Sequence, residues 1–469
     1  MQKTQSVVSI TVVVTLGGLL FGFDMAVISG VLPFVQEQFS LTAAEEGWFV
    51  SSALVGCILG VILSGEGSDR WGRKKLLMAA AFLFLISAIG SALSESFFLL
   101  ILSRLIGGVG VGIASSVSPL YISEIAPAHI RGKLVTFYQL AITVGILVAY
   151  LTNSAILNFS VGNSGEFQGD FINYFFVDEL WRSMMGLGVI PSLIYLIGLL
   201  YVPESPRWLI LNNRIEEGEE ILSRLGGKEN ARRAVEGIVR SLNQEKGSYR
   251  ELFAPGLRIA LLIGLLLPLF SQFSGINAVI YFGPRILSDA GIDMSNAFLG
   301  QIFFGVANLV FTLFAIWKVD KLGRRPLYLI GSLGASMSLA LIGLCFYLKA
   351  AESIFLLVSI ILFIACFAFS IGPLKFVIAS EIFPNKIRGR AIALSIMVMW
   401  IADAIIGQLT PLLLAFAGPA YTFWIFASFC LMAFIVVFKL VPETKGKSLE
   451  EIQQMWSSKE KEKKKALVL

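Results

Sequence analysis

The chain has 469 residues, 56% of them hydrophobic and only 15% charged, a balance that excludes an ordinary water-soluble domain. Its formal net charge of +5 would suggest nucleic acid in a soluble protein. Here the placement of the basic residues supplies a different reason, so no nucleic-acid partner is expected.

Apolar stretches, each long enough to cross roughly 30 Å of hydrocarbon as a helix, recur along nearly the whole sequence. In chain order they cover 7–32, 46–66, 76–94, 97–122, 133–157, 183–202, 256–287, 296–318, 326–349, 353–383, 390–416 and 419–440. The first is too long for a secretory signal, carries Asp24 and lacks a small-residue cleavage site, so a retained helix is expected. All four cysteines (Cys57, Cys345, Cys366, Cys430) fall inside apolar runs and read as packing residues. Of the 37 Lys and Arg residues, Arg104 and Lys375 lie deep within stretches and Arg182, Arg285 and Lys349 lie at or beside stretch ends on one side. All the others fall on the opposite side. The positive-inside rule places that richer side, with both termini, in the cytoplasm of a multi-pass cell (inner) membrane protein. The basic run from Lys459 to Lys465 reads as a solvated tail near anionic lipid heads.

Two connection patterns occur twice. Asp69-Arg70-Trp71-Gly72-Arg73 follows the second stretch and Asp320-Lys321-Leu322-Gly323-Arg324 the eighth. Ser123-Glu124, Pro127 and Arg131-Gly132 follow the fourth, and Ser380-Glu381, Pro384 and Arg388-Gly389 the tenth. Pro203-Glu204-Ser205-Pro206-Arg207 is echoed by Pro442-Glu443-Thr444. The chain therefore divides into a six-helix unit over 1–202, a cytoplasmic helical linker over 203–255, a second six-helix unit over 256–441 and a cytoplasmic tail over 442–469. In the linker, Glu216, Glu217, Glu219, Glu220, Arg224, Arg232, Arg233 and Arg240 have the spacing of short amphipathic helices.

Taken together, these duplicated motifs, with Arg104 ahead of a Gly-rich stretch, resemble the sugar-porter family of the major facilitator superfamily over essentially the whole chain. The resemblance implies an all-α membrane protein, with twelve transmembrane helices in two pseudo-symmetric bundles. It also implies solute transport by alternating access, with no cofactor and no metal, in a protein acting as a monomer.

Gly72 and Gly323 permit tight turns, and the flanking charges can pair. Asp69, Arg73, Glu124 and Arg131 in one half, and Asp320, Arg324, Glu381 and Arg388 in the other, form a candidate gating network. Glu124 and Glu381 are the expected acceptors. The bland alternative is loop anchoring.

An ionisable side chain inside the bilayer costs at least about 2.5 kcal/mol on insertion scales, so each needs a reason. Asp24 lies roughly 25 Å above the inner end of its helix and Arg104 roughly 10 Å below the outer end of its own, depths at which they can pair. Proximity to arginine favours the charged carboxylate and burial the neutral one, so a pair that makes and breaks can move a proton. In the resembling symporters a carboxylate in the first helix has this role, and Gly17-Gly18-Leu19-Leu20-Phe21-Gly22-Phe23-Asp24 matches its surroundings. A permanent ion pair is the alternative. His129, the only histidine, falls in a connection and reads as a surface residue.

A sugar site needs amides, which both donate and accept, together with aromatic faces. Asn277 and Tyr281 are spaced one helical turn apart, Gly275 loosens their helix, and Gly372-Pro373 breaks another. By resemblance Gln139, Gln272, Asn277, Tyr281 and Asn308 match sugar-contacting positions. Three departures remove polar contacts: Ser271 where the family usually has glutamine, Phe376 where it usually has tryptophan, and Met399 where an amide is common. Lys375 and Asp403 are expected to pair beside this site, either shaping the cavity or, through Lys375, recognising an anionic solute. Gly107-Gly108-Val109-Gly110-Val111-Gly112 lies in an apolar stretch, so helix packing accounts for it better than nucleotide binding.

The reading is a proton-coupled importer of a monosaccharide or related polyol. Its alternatives are a facilitative sugar uniporter, a symporter for an anionic sugar derivative and a non-transporting sugar sensor. No nucleophile–base or metal-ligand cluster favours an enzyme.

Overall fold

The computed structural model describes residues 2–127, 130–162, 173–242, 249–254, 257–350, 354–384, 387–443 and 445, with the side chains of 2–6, 241–242, 249 and 319–321 not described. His129, the Asp320 side chain and the tail beyond Lys445 lie outside that description.

Every regular element among the described residues is helical. Six long apolar helices come first: α1 (Gln2–Phe39), α2 (Ala43–Trp71), α3 (Arg73–Ala92), α4 (Phe97–Ile125), α5 (Arg131–Gly162) and α6 (Leu180–Leu200). Shorter ones follow, α7 (Pro206–Leu211), α8 (Ile215–Gly226) and α9 (Lys228–Leu242), with a single turn at Tyr249–Leu252. Six more long helices complete the chain: α10 (Arg258–Asp289), α11 (Met294–Leu322), α12 (Arg324–Tyr347), α13 (Ile354–Ile382), α14 (Arg388–Phe416) and α15 (Gly418–Leu440). The twelve long helices match the twelve apolar stretches. Most extend a few residues past them, because polar helix ends lack the apolar signal while still closing backbone hydrogen bonds. Local chemistry sets several ends. Thr42 and Glu45 form a reciprocal capping box at the start of α2, and Ser205 caps α7 with Pro206 at its first position.

Large apolar side chains stand on the outside, including Phe98 at 73% and Phe355 at 72% exposure. Water would penalise that surface, whereas lipid matches it.

The chain falls into two compact units. The first comprises Met1–Gln244, Ile280–Arg285 and Asp293–Gly305, and the second Glu245–Val279, Ile286–Ile292 and Val306–Leu469. In the first, glycines let backbones touch. A Cβ on Gly108 would lie 2.0 Å from the Ala53 carbonyl oxygen, and one on Gly60 would lie 2.2 Å from that of Val109. The Gly-rich run of α4 is thus the seam against α2. In the second unit Gly343 of α12 makes room for Trp424 of α15, whose indole N–H donates to the Ala340 carbonyl at 3.2 Å.

Two helices are interrupted where glycine and proline foretold it. In α10 the helix ends at Phe273 and restarts at Ile276, with Gly275 at φ +80°. A side chain there would be strained, and its Cβ would meet the Phe426 ring at 2.4 Å. In α13 the expected break at Gly372-Pro373 takes the form of a π turn over Phe367–Ile371, after which the helix continues to Ile382. The wider i→i+5 turn accommodates the proline's missing N–H without ending the helix.

Candidate functional site

The first unit holds an ion pair in its apolar interior. Arg104 of α4, fully buried, donates Nη1–H to Asp24 Oδ1 of α1 at 2.7 Å. The contact is single. Asp24 Oδ2 and Arg104 Nε and Nη2 find no hydrogen-bond partner among the described residues. Gly107, one turn along α4, is what admits the neighbours: a Cβ there would lie 2.3 Å from Ser87 Oγ and 3.9 Å from Asp24 Oδ1. A pocket lined by Phe23, Asp24, Phe84, Ser87, Ala88, Met185 and Ser192, among others, offers about 20 Å³ to the centre of a water molecule. A single water needs only roughly 10–15 Å³. The pair is therefore singly bonded, with idle polar atoms beside a cavity large enough for water.

The second unit gathers a polar cluster around the interruption in α10. Asn277 Nδ2 donates both to Gln272 Oε1 at 2.9 Å and to Asp403 Oδ1 of α14 at 2.7 Å. Lys375 Nζ of α13 donates to Ser271 Oγ at 2.9 Å and sits 5.3 Å from the centre of the Phe376 ring. Ser271, Gln272, Lys375 and Asp403 are buried, and Asn277 and Phe376 half-buried. The contacts described for Lys375 and Asp403 run through Ser271 and Asn277, with the two charges close enough to act on each other. Both charges thus belong to one polar cluster. Ser271, read as a lost polar contact, is the acceptor for the lysine.

The remaining candidates are more dispersed. Gln139 is exposed on α5 and Asn308 half-buried on α11. Tyr281 is buried, its hydroxyl 3.4 Å from Met25 Sδ within the first unit.

The motif charges form matching networks in the two units. Arg73 donates Nε–H and Nη2–H to the two oxygens of Glu124, each at 3.0 Å, and Nη1–H to the Ser68 carbonyl and to Asp69. Ser205 Oγ also donates to Glu124. Arg324 pairs with Glu381 at 3.1 Å. Arg131 and Arg388 take another role: their described contacts are to the carbonyls of Ala126 and Phe383, five residues back, where each closes the turn before its own helix.

Sequence reasoning missed Glu204 and Glu443. Helices α3 and α12 begin at Gly72 and Gly323, at φ +93° and +89°, which offer no side chain to cap them. Glu204 accepts the N–H of Arg73 and Lys74, and Glu443 those of Arg324 and Arg325. The repeated Pro-Glu was the signal, but only the fold brings those carboxylates to helix starts more than a hundred residues away.

A family model for "Sugar (and other) transporter" matches residues 10–456. The chain belongs to this sugar transporter family. It is 43% identical to the arabinose-proton symporter of Bacillus subtilis (strain 168), covering 96% of this chain and 95% of that protein. It is 40% identical to the D-xylose-proton symporter of Escherichia coli (strain K12), covering 97% and 96%. The xylose transporter XylE from E. coli, solved in a partially occluded inward-open conformation, superposes with a TM-score of 0.81 at 39% identity, over 94% of this chain and 99% of that one. The same transporter bound to 6-bromo-6-deoxy-D-glucose gives 0.79 at 40% identity, over 97% and 100%. The fold is therefore that of the major facilitator superfamily, twelve membrane-spanning helices in a multi-pass membrane protein.

Proposed function

We propose that this chain is a proton-coupled symporter that imports a monosaccharide or related polyol by alternating access. The observation that carries the reading is the Asp24–Arg104 pair, buried and singly bonded beside a pocket that admits water. Protonation of Asp24 would release Arg104, and re-pairing would expel the proton. That is the chemistry a carrier needs to link proton entry to a change of state. Similarity to proton symporters for arabinose and D-xylose supports the same reading. One co-transported proton is worth about 2.3 kcal/mol per 100 mV, enough to concentrate the solute.

In this reading Gln272, Asn277 and their neighbours in the second unit bind the solute, with Asn308 and Phe376 of that unit contributing further contacts. The networks around Glu124 and Glu381 act as latches at the inner face. Both termini face the cytoplasm of a bacterial inner membrane. The protein is a carrier rather than an enzyme. Each chain holds both the proton pair and the polar cluster, so a monomer suffices.

The test is Asp24→Asn in proteoliposomes. Accumulation of labelled sugar against its gradient should be abolished while counterflow exchange persists. Retained accumulation would sink the coupling role of Asp24, and loss of exchange as well would place Asp24 in solute binding.

A further inference from the structure

The polar cluster of the second unit carries more than a list of contacts, because its hydrogen bonds have a direction. An ionised carboxylate can only accept, and Asp403 presents its Oδ1 to the side-chain amide of Asn277. The Asn277 atom 2.7 Å from Asp403 Oδ1 is therefore the amide nitrogen. Its second hydrogen goes to Gln272 at 2.9 Å, so the Gln272 atom facing it is the carbonyl oxygen. Both hydrogens of Asn277 are thus committed, and Gln272 Oε1 already accepts one of them. What remains is Asn277 Oδ1, an acceptor, and Gln272 Nε2, a donor, neither with a partner among the described residues.

An amide is otherwise ambivalent, since rotation by half a turn exchanges its donor and acceptor ends at little cost. With the carboxylate in place that exchange would set oxygen against oxygen.

We propose that Asp403 is a specificity-determining positioning residue, which fixes Asn277 as an acceptor and Gln272 as a donor toward a neutral polyhydroxyl solute. This rests on the reading of the cluster as the solute site. The solute must then offer one hydroxyl that donates to Asn277 and an oxygen that accepts from Gln272. The cluster holds one cationic and one anionic side chain, Lys375 and Asp403, both buried, so a carboxylate on the solute meets no surplus of positive charge.

The experiment measures competition by deoxy and deoxyfluoro analogues, at each ring carbon in turn, against uptake of whichever of D-xylose or arabinose the wild-type protein transports. Fluorine replaces the hydroxyl oxygen in size but cannot donate. In the wild type, the expected result is one position at which the deoxy and deoxyfluoro analogues are both weaker than the parent sugar by about tenfold or more, the cost of leaving a buried amide oxygen unpaired. In the charge-neutral double variant Lys375→Met/Asp403→Leu, the amides are free to turn. The deoxyfluoro penalty at that position should fall to about threefold or less, whatever happens to the affinity for the parent.

An unchanged penalty in the double variant overturns the role of Asp403. So does a wild type that tolerates fluorine at every position, a result that needs no variant to fold. A sugar acid that competes better than its parent sugar overturns the neutral-solute assignment. Asn277→Ala that leaves parent affinity untouched removes the solute-site reading itself, and is thereby distinct from a failure of the orientation.

Discussion

At the scale of single residues, half-buried acidic side chains do three different things in this chain, and their surroundings decide which. Asp24 holds one hydrogen bond to Arg104 and keeps idle atoms beside a pocket. Glu204 accepts the N–H groups of Arg73, Lys74 and Ser205, a full coordination with no freedom left. Glu204→Gln should therefore lower the stability of the detergent-solubilised protein by about 1 kcal/mol, the usual worth of a helix cap. Glu443→Gln should cost a similar amount, as read by thermal denaturation. Glu179, at the edge of α6, is different again. Burial works against its ionisation, but Gln38 and Arg182 outweigh that with hydrogen bonds at 2.9 and 2.5 Å and hold its carboxyl below the usual range. The folded state thus gains stability above the ordinary carboxylate range and loses it as pH falls through the depressed value. Melting temperatures measured from neutral to acid pH should decline there, and Glu179→Gln should flatten that part of the profile.

At the scale of elements, glycine placement controls which helices can touch. Gly108→Ala drives a Cβ to 2.0 Å from the Ala53 carbonyl, whereas Gly132→Ala, at the start of α5, meets nothing within 4 Å. The first should destabilise by about 1 to 3 kcal/mol, as overpacking does, and the second should be near neutral or stabilising. Equal effects in chemical denaturation would mean that the α2–α4 seam is looser than its backbone contacts indicate. The interruption of α10 has a different origin, since Gly275 adopts a left-handed conformation and also makes room for Phe426. That interruption lets Gln272 and Asn277, five residues apart, bond to each other.

At the scale of the whole molecule, the duplicated sequence yields duplicated chemistry in each unit: a positive-φ glycine, a distant glutamate capping the next helix, and an arginine held by a second glutamate. If these networks act as latches, Glu124→Gln and Glu381→Gln should each lower the maximal transport rate while equilibrium sugar binding stays close to wild type. Lost binding with the rate retained would assign them to the solute site instead. The basic residues Arg182 and Arg285, at helix ends in α6 and α10 and read from sequence only as exceptions to a charge bias, turn out to be structural. Arg182 binds Glu179 and the carbonyls of Ala92 and Ser94, and Arg285 binds the buried Glu46.

The twelve spans and the two-fold repeat were legible from residue order, because hydrophobic length, charge bias and motif spacing are properties of the chain taken a few dozen residues at a time. The encounter of Asp24 with Arg104 was legible too, since helical rise turns residue number into depth. Which atoms bond at equal depth was not, because that depends on helix rotation and packing. Two carboxylates at helix starts more than a hundred residues away, two arginines closing turns where they were expected to pair with glutamates, and a lysine bonded to Ser271 are all consequences of packing. Lys375 and Asp403 could be seen in the sequence as charges that needed a partner, but only the tertiary structure routes them through Ser271 and Asn277 and so gives the amides of that cluster a direction.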